Sequence, residues 1–353
     1  MHAARFRFLV ALFVVSLCAC GGEQEGEPDG DVPEARDESA WFYTERDCFP
    51  AVTEPGFVEA AEARDLDDHH EVLGVVVGGQ ARAYPTTMLA YHHLVNDAIG
   101  DVPVLVTYCV LCSTGAAYDP RVDGERLRFG VEGNWRGTAT LYDTKTKSVW
   151  LQVTGACVSG PLKGRTLAPR PGLMHTTWGT WRRLHPDTQV MKRDAANVRA
   201  GEAYFTPRGA RSGVEFIPPE LRSVVRYDDD RLAPSDLVYG IASGGHAWAF
   251  PFRALRRKPV VQVAVGGLEV TVWFDIAART AAAYRRRAGE RVLSFRLDAE
   301  GAFRDDATGS RWTIDGRCRE GALAGTQLEP VHGVTSEWYG WSAAHPGTRI
   351  LGD

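Results

Sequence analysis

Two cysteines three residues apart, Cys109 and Cys112 in "VTYCVLCSTG" (106–115), close an apolar run in a chain of 353 residues that has seven cysteines. A C-x-x-C pair supports three chemistries: two thiolates on one metal ion, a dithiol that cycles with a disulfide, or a plain structural disulfide. A c-type haem is excluded, because Ser113 stands where the haem ligand histidine must follow. A thioredoxin-like dithiol needs a long helix after the first cysteine. Here Gly115 and Pro120 leave room for one short turn. A closed zinc ribbon would need a second C-x-x-C, which is missing. Metal ligation would therefore need imidazole. His92, with His93 as a further possibility, lies just upstream in "TTMLAYHHLVND", and a sulfur–imidazole set suits copper(I) or zinc. His175 is an extra candidate ligand, or an ordinary capping or surface histidine. No serine-hydrolase elbow, zincin helix, phosphate loop or dinucleotide glycine fingerprint is present at a credible place.

The elements that must position these residues are mostly strands. "EVLGVVV", Gly78-Gly79 and "QARAYP" read as a hairpin, and "VPVLVTY", "ERLRFGVEG" and "SVWLQV" are apolar or alternating runs. "TTMLAYHHLVND", opened by a threonine cap, and "TTWGTWRRLHP" read as helices. The expectation is an α+β, β-rich fold with a few helices covering mainly antiparallel sheets.

Sliding the chain along itself shows an internal repeat. "VLGVVVGGQARAYPTTML" (72–89) matches "VYGIASGGHAWAFPFRAL" (238–255), and "WGTWRRLHPDT" (178–188) matches "WYGWSAAHPGT" (338–348). Two homologous modules are expected, spanning 40–191 and 238–353 around a connector at 192–237. Residues common to both are scaffold candidates: the double glycines, Tyr118 and Tyr284, Trp150 and Trp312, and the tryptophan pairs of the last helices. His185 and His345, each before a proline, are expected at helix C-termini, favoured by the helix dipole.

Other residues differ between the halves. Cys109 faces Asp275, Cys112 faces Ala278, His92 faces Lys258, His93 faces Pro259, Asn96 faces Gln262, Asp97 faces Val263 and His175 faces Thr335. The first half alone carries a nucleophile and ligand set, and the other reads as a degenerate copy. Cys157 and Cys318 occupy matching positions, as separate buried thiols or as an inter-half disulfide.

The N-terminus reads as an export segment: Arg5 and Arg7, the apolar "FLVALFVVSL", then "SLCACGG", similar to the lipobox of bacterial lipoproteins. Cys20, which closes the signal segment of residues 1–20, is the expected lipidated residue. Residues 21–39 carry eight acids against Arg36 and almost nothing apolar, which predicts a disordered tether. The chain's net charge is −5. The acidic tether accounts for it, so the folded part is near neutral and no nucleic-acid face is implied. The expected partner is a membrane, reached through the lipid anchor at the bacterial cell envelope.

The succession "GGQARAYPTTMLAYHHLVND", "VPVLVTYCVLCSTGAAYD", "LRFGVEGN", "LYDTKTKSVWLQVTG", "SGPLKGRTL" and "TTWGTWRRLHPDTQV" resembles the bacterial family of unknown function DUF3179. The resemblance implies no named activity. It places that family's helix histidine on His92 and its cysteine pair on Cys109 and Cys112. The family commonly has glycine after the second cysteine, where this chain has Ser113. The expected function is a metal centre (copper or zinc) or a redox centre built on Cys109, Cys112 and His92. The alternatives are a thiol–disulfide oxidoreductase and a noncatalytic module with a structural disulfide.

Overall fold

The double glycines of both hairpins fold as the sequence predicts. Gly78 and Gly79 have φ of 58° and 81°, and Gly244 and Gly245 have 56° and 76°. Two successive left-handed residues make the tight turn whose twist matches that of paired strands. They close Glu71–Val77 onto Gln80–Pro85 and Leu237–Ser243 onto His246–Pro251, with Val77 opposite Gln80 and Ser243 opposite His246. The computed structural model describes residues 41–43, 45–204, 222–225 and 227–352. The export segment, Cys20, the acidic tether and most of "FIPPELRS" lie outside the described residues.

The fold is β-rich and mainly antiparallel. Each hairpin lies inside a larger sheet, flanked on one side by the strand that leads into a tryptophan helix. In the first half the order is Met174–Thr177, Glu71–Val77, Gln80–Pro85, Gln189–Met191, Phe57–Glu59. In the second it is Val334–Glu337, Leu237–Ser243, His246–Pro251, Arg349–Ile350. The strands after the tryptophan helices pair in parallel with the hairpins, a minority pattern in these sheets.

Five helices occur among the described residues: α1 (Thr86–His92), α2 (Trp178–Leu184), α3 (Ala195–Tyr204), α4 (Phe252–Arg257) and α5 (Trp338–Ala344). Helix α1 is shorter than the sequence suggests. His93 takes a left-handed φ of 60° and stops it, so "LVND" opens the strand Leu94–Ile99. Pro85 is its N-cap, while the Thr86 hydroxyl donates to the Glu71 carbonyl at 3.0 Å. Helix α2 has the expected threonine cap, Thr177 accepting from the Thr180 N–H. None of these helices is long and apolar enough to cross a membrane.

The tryptophans are core, as their recurrence predicts. Trp150, Trp178, Trp181, Trp312, Trp338 and Trp341 are fully buried. Trp181 lies flat on Gly74 and Trp341 on Gly240, where an added Cβ would come within 2.2 Å and 2.3 Å of ring carbon. His185 and His345 cap their helices but lean on these rings, at 4.2 Å from Trp181 and 4.0 Å from Trp341. Burial lowers both pKa values, His345's to about 4. Neutral imidazoles packed on indole thus replace the charge–dipole contact expected from sequence.

The two sequence halves share their cores. One apolar cluster joins Leu105 and Trp150 to Trp338 and Trp341, and another joins Trp178 and Trp181 to Trp273 and Trp312. Each half's strand before its tryptophan helix also lies against the other half. Thr114 donates to Ser336 Oγ at 2.8 Å, and Thr280 donates to Thr176 Oγ1 at 2.8 Å. That crossing builds the site.

Candidate functional site

The strand Val102–Cys109 turns back at its last residue, pairing Cys109 with Thr114 of Thr114–Asp119. Four residues, Val110 to Ser113, make the turn. Ser113 has a φ of 52°, in the left-handed region that favours glycine. Both sulfurs are buried, with Cys109 1% and Cys112 0% exposed.

The turn wraps its own N–H groups around the Cys109 sulfur. The Cys109 pKa lies below the ordinary thiol value, chiefly because the Cys112 thiol donates a hydrogen bond to it; burial opposes this, and the backbone N–H groups of Cys112, Ala139 and Leu111 assist. Hydrogen bonds to a thiolate stabilise its charged form. Cys112 shifts the other way: burial and its neighbour's charge push its pKa well up. The pair is therefore differentiated, with the thiolate form favoured at Cys109 and the thiol form at Cys112. Cys112 also lies 3.1 Å from the Thr114 hydroxyl.

The other half completes the surroundings. The Glu337 N–H donates to the Cys112 carbonyl at 2.8 Å. Helix α5 packs so closely that a Cβ on Gly340 would fall 2.8 Å from Cys112 Cβ. Glu337 is buried, and its Oε2 has no hydrogen-bond partner among the described residues. Burial, with the charge on Cys109, raises its pKa to about 8. Tyr339 follows, its hydroxyl 3.3 Å from the Gly137 carbonyl and its pKa well raised by burial.

The candidate histidines are placed elsewhere. His92 ends α1 and gives its Nδ1–H to the Pro50 carbonyl at 2.6 Å, with burial lowering its pKa. His93 directs Nδ1 to the Tyr108 carbonyl at 3.3 Å and packs edge-on to Phe49; burial takes its pKa to about 4. His175 is buried, with Nε2 3.5 Å from Glu71 Oε2 and its ring edge-on to Tyr108. None of the three joins the sulfurs in a set of ligand atoms lying within 4.8 Å of one another. Among the described residues that arrangement occurs at Asp67, His69 and His70, in an exposed loop. There the His70 Nδ1 accepts from the Asp67 N–H at 2.8 Å.

Other residues singled out by the half-to-half comparison are structural. Asn96 makes paired hydrogen bonds with the Phe129 backbone, as Gln262 does with Phe295. Asp97 receives Arg82 and the Tyr84 hydroxyl. Cys109, Cys112, Cys157 and Cys318 form no disulfide, and Cys157 and Cys318 donate to the Ser159 and Glu320 carbonyls. A cleft of about 610 Å³ between His185, Asp187 and Arg317 contains neither sulfur of the pair.

Sequence reasoning missed Glu337 and the Asp67–His69–His70 group. The signal for Glu337 was present: aligning "TTWGTW" with "SEWYGW" sets Thr177 opposite an acid.

The chain belongs to the DUF3179 family, whose description is "Protein of unknown function"; that family's model matches residues 46–348. No curated protein and no solved structure matches the chain.

Proposed function

We propose that, from within a family whose description assigns no activity, this chain acts as a thiol–disulfide exchange centre, with Cys109 the attacking thiolate and Cys112 the resolving thiol. The observation that carries this is the hydrogen-bond set on the Cys109 sulfur. A second turn of the same chain holds an anion in the same way. At Asp275–Thr280 the Ala278 N–H donates to the Asp275 carboxylate at 2.9 Å, and Arg279 has a φ of 51° against 52° for Ser113. Asp275 and Ala278 are the residues that face Cys109 and Cys112 in the sequence repeat. A turn that accepts a carboxylate at its first position is suited to a thiolate there.

Burial makes access the slow step, so exchange proceeds with small disulfides or through local opening of the turn. The recurring strand orders and turns support a duplicated module, with the first copy carrying the sulfur chemistry. "SLCACGG" supports an envelope lipoprotein anchored through Cys20.

The test is the ultraviolet thiolate absorbance of the reduced protein against pH, beside Cys109→Ser, followed by the reduction potential of the pair. A thiolate signal titrating below the ordinary cysteine range and lost in the variant is expected. Titration at or above the ordinary thiol value refutes the proposal. The metal reading keeps its own check: stoichiometric copper or zinc in chelator-free protein, lost in Cys109→Ser/Cys112→Ser, would replace exchange with ligation. Detergent phase partition that depends on Cys20 tests the anchor.

A further inference from the structure

We propose that Glu337, a residue of the second half, is the proton acceptor for Cys112, so that the second half supplies part of the chemistry of the pair. This deepens the exchange reading and rests on it.

Four observations converge on Glu337. Its backbone N–H is bonded to the Cys112 carbonyl at 2.8 Å, which ties the residue to the resolving cysteine. Its side chain is only 6% exposed and leaves Oε2 without a hydrogen-bond partner among the described residues. It forms no ion pair there either, and burying an ionisable group without a partner costs several kcal/mol in order of magnitude. It does not serve its own helix: Thr177, at the matching position, accepts from the Thr180 N–H, whereas the Glu337 side chain makes no cap hydrogen bond to α5. A carboxyl kept in such a place without structural benefit is a candidate for proton transfer.

The titratable groups facing it are Cys109 and Cys112 from the turn, Tyr339 from α5 and Tyr227 from the connector, with Arg222 acting on Tyr227. Among them Cys109 is the group whose charged form its surroundings favour. That sets the order of events. Cys109 thiolate attacks a disulfide R–S–S–R′, the S–S bond breaks, and R′S⁻ leaves. R′S⁻ has by then left, so the attack itself does not depend on Glu337; with the charge on Cys109 consumed in the new bond, Glu337 ionises and its proton goes to R′S⁻. The Glu337 carboxylate then takes the proton of the Cys112 thiol. Cys112 thiolate attacks the Cys109 sulfur, forming the Cys109–Cys112 disulfide and expelling RS⁻, which takes the proton back from Glu337. Two electrons and two protons pass from the protein to the disulfide.

The experiment uses the full chain, a small uncharged disulfide (hydroxyethyl disulfide) and mass spectrometry of quenched samples. Glu337→Gln keeps size and hydrogen-bonding capacity while removing the base. Formation of the mixed disulfide on Cys109 is expected at a rate within about threefold of wild type, while its resolution slows about 100-fold, the low end of a lost general base. The pH dependence of resolution should flatten with it. Glu337→Asp, which keeps a carboxyl, should recover part of the rate, and Cys112→Ser should stop at the mixed disulfide. Because resolution is intramolecular, slow access to the buried site does not affect it. Resolution at the wild-type rate in Glu337→Gln, with normal mixed-disulfide formation, overturns the role of Glu337 and leaves the exchange reading intact. A wild-type protein that forms no mixed disulfide overturns the exchange reading, and this role with it. If Glu337→Gln does not fold, Glu337→Asp decides alone: an unchanged resolution rate and pH profile counts against the role.

Discussion

The turn at Cys109–Thr114 and the turn at Asp275–Thr280 are one piece of backbone used twice. Each pairs its first residue with its last across the hairpin, and each carries a left-handed residue just before that last one. Each threonine at the close donates to a hydroxyl on the strand before the other half's tryptophan helix. The contents differ. One turn holds two sulfurs beside a buried carboxyl whose Oε2 has no hydrogen-bond partner among the described residues. The other holds Asp275 and Ala278 and meets the strand Met174–Thr177, which has Thr177 at the position matching Glu337. The shared geometry is therefore scaffold, an acceptor site fed by turn N–H groups. The chemistry depends on which acceptor occupies it, and on Glu337.

The largest effect should come from exchanging the acceptors. Cys109→Asp puts the second turn's acceptor into the first. It should fold with a melting temperature within about 3 °C of wild type, since an anion still receives the turn's N–H groups, a change of at most about 2 kcal/mol. Disulfide exchange and trapping by thiol reagents at this turn should fall to background. A variant that exchanges normally would remove Cys109 from the mechanism. One that fails to fold would show that the two turns are not equivalent.

Next in size is the close approach of α5. Thr180 occupies in α2 the place that Gly340 occupies in α5. Gly340→Thr should destabilise by about 1–3 kcal/mol, as expected for overpacking against a neighbour that has no flexible end to move. That neighbour is the Cys112 Cβ, at 2.8 Å from the added atom. Thermal unfolding checks it. A neutral result would mean that the sulfur turn is soft enough to yield, which would also ease access to the pair.

Much of this fold was legible in the sequence, because repeated glycines and tryptophans report backbone geometry and packing directly. Gly78-Gly79 and Gly244-Gly245 required a particular turn, and the i, i+3 tryptophans required a core. The end of α1 was not legible, since nothing local marks His93 as left-handed; tertiary contacts to Phe49 and Tyr108 hold it there. The cysteine pair was found from spacing alone. Its partners were not, because spacing is blind to contacts across more than two hundred residues, and Glu337 meets Cys112 only through the crossing of the two halves. His92 and His93 direct Nδ1 to the Pro50 and Tyr108 carbonyls, and among the described residues their ligand atoms do not gather with the two sulfurs within 4.8 Å.

The carboxyl that distinguishes the two sites should also leave a mark on stability. A carboxylic acid whose pKa rises on folding binds its proton more tightly in the native state. Its contribution is complete below the unfolded pKa and is lost as pH rises through the folded one. For Glu337 that window runs from 4.5 to about 8, which limits the effect to about 5 kcal/mol. Cys109, with a lowered pKa, works in the opposite sense, so the clean measurement is a difference. Urea unfolding of Glu337→Gln and wild type should agree at pH 4.5. By pH 8 to 9 the variant should be the more stable, by 1 kcal/mol or more. A difference that does not change with pH would place the ionisation elsewhere.

The smallest effect concerns the backbone that both turns share. Ser113 and Arg279 hold φ of 52° and 51°, a conformation that costs a non-glycine residue about 1–2 kcal/mol. Glycine removes that strain but gives the unfolded chain more freedom, which takes back about 0.5–1 kcal/mol. Ser113→Gly should therefore stabilise the protein by about 0.5–1 kcal/mol, and Arg279→Gly by the same backbone gain less what the arginine side chain's own contacts contribute, with exchange by the cysteine pair unchanged in both. Gains in both would show that the strain belongs to the turn rather than to its sulfur content. If Ser113→Gly alone slowed exchange, the Ser113 side chain would have a part in the chemistry, and the two turns would differ in one more residue than the hydrogen bonds record.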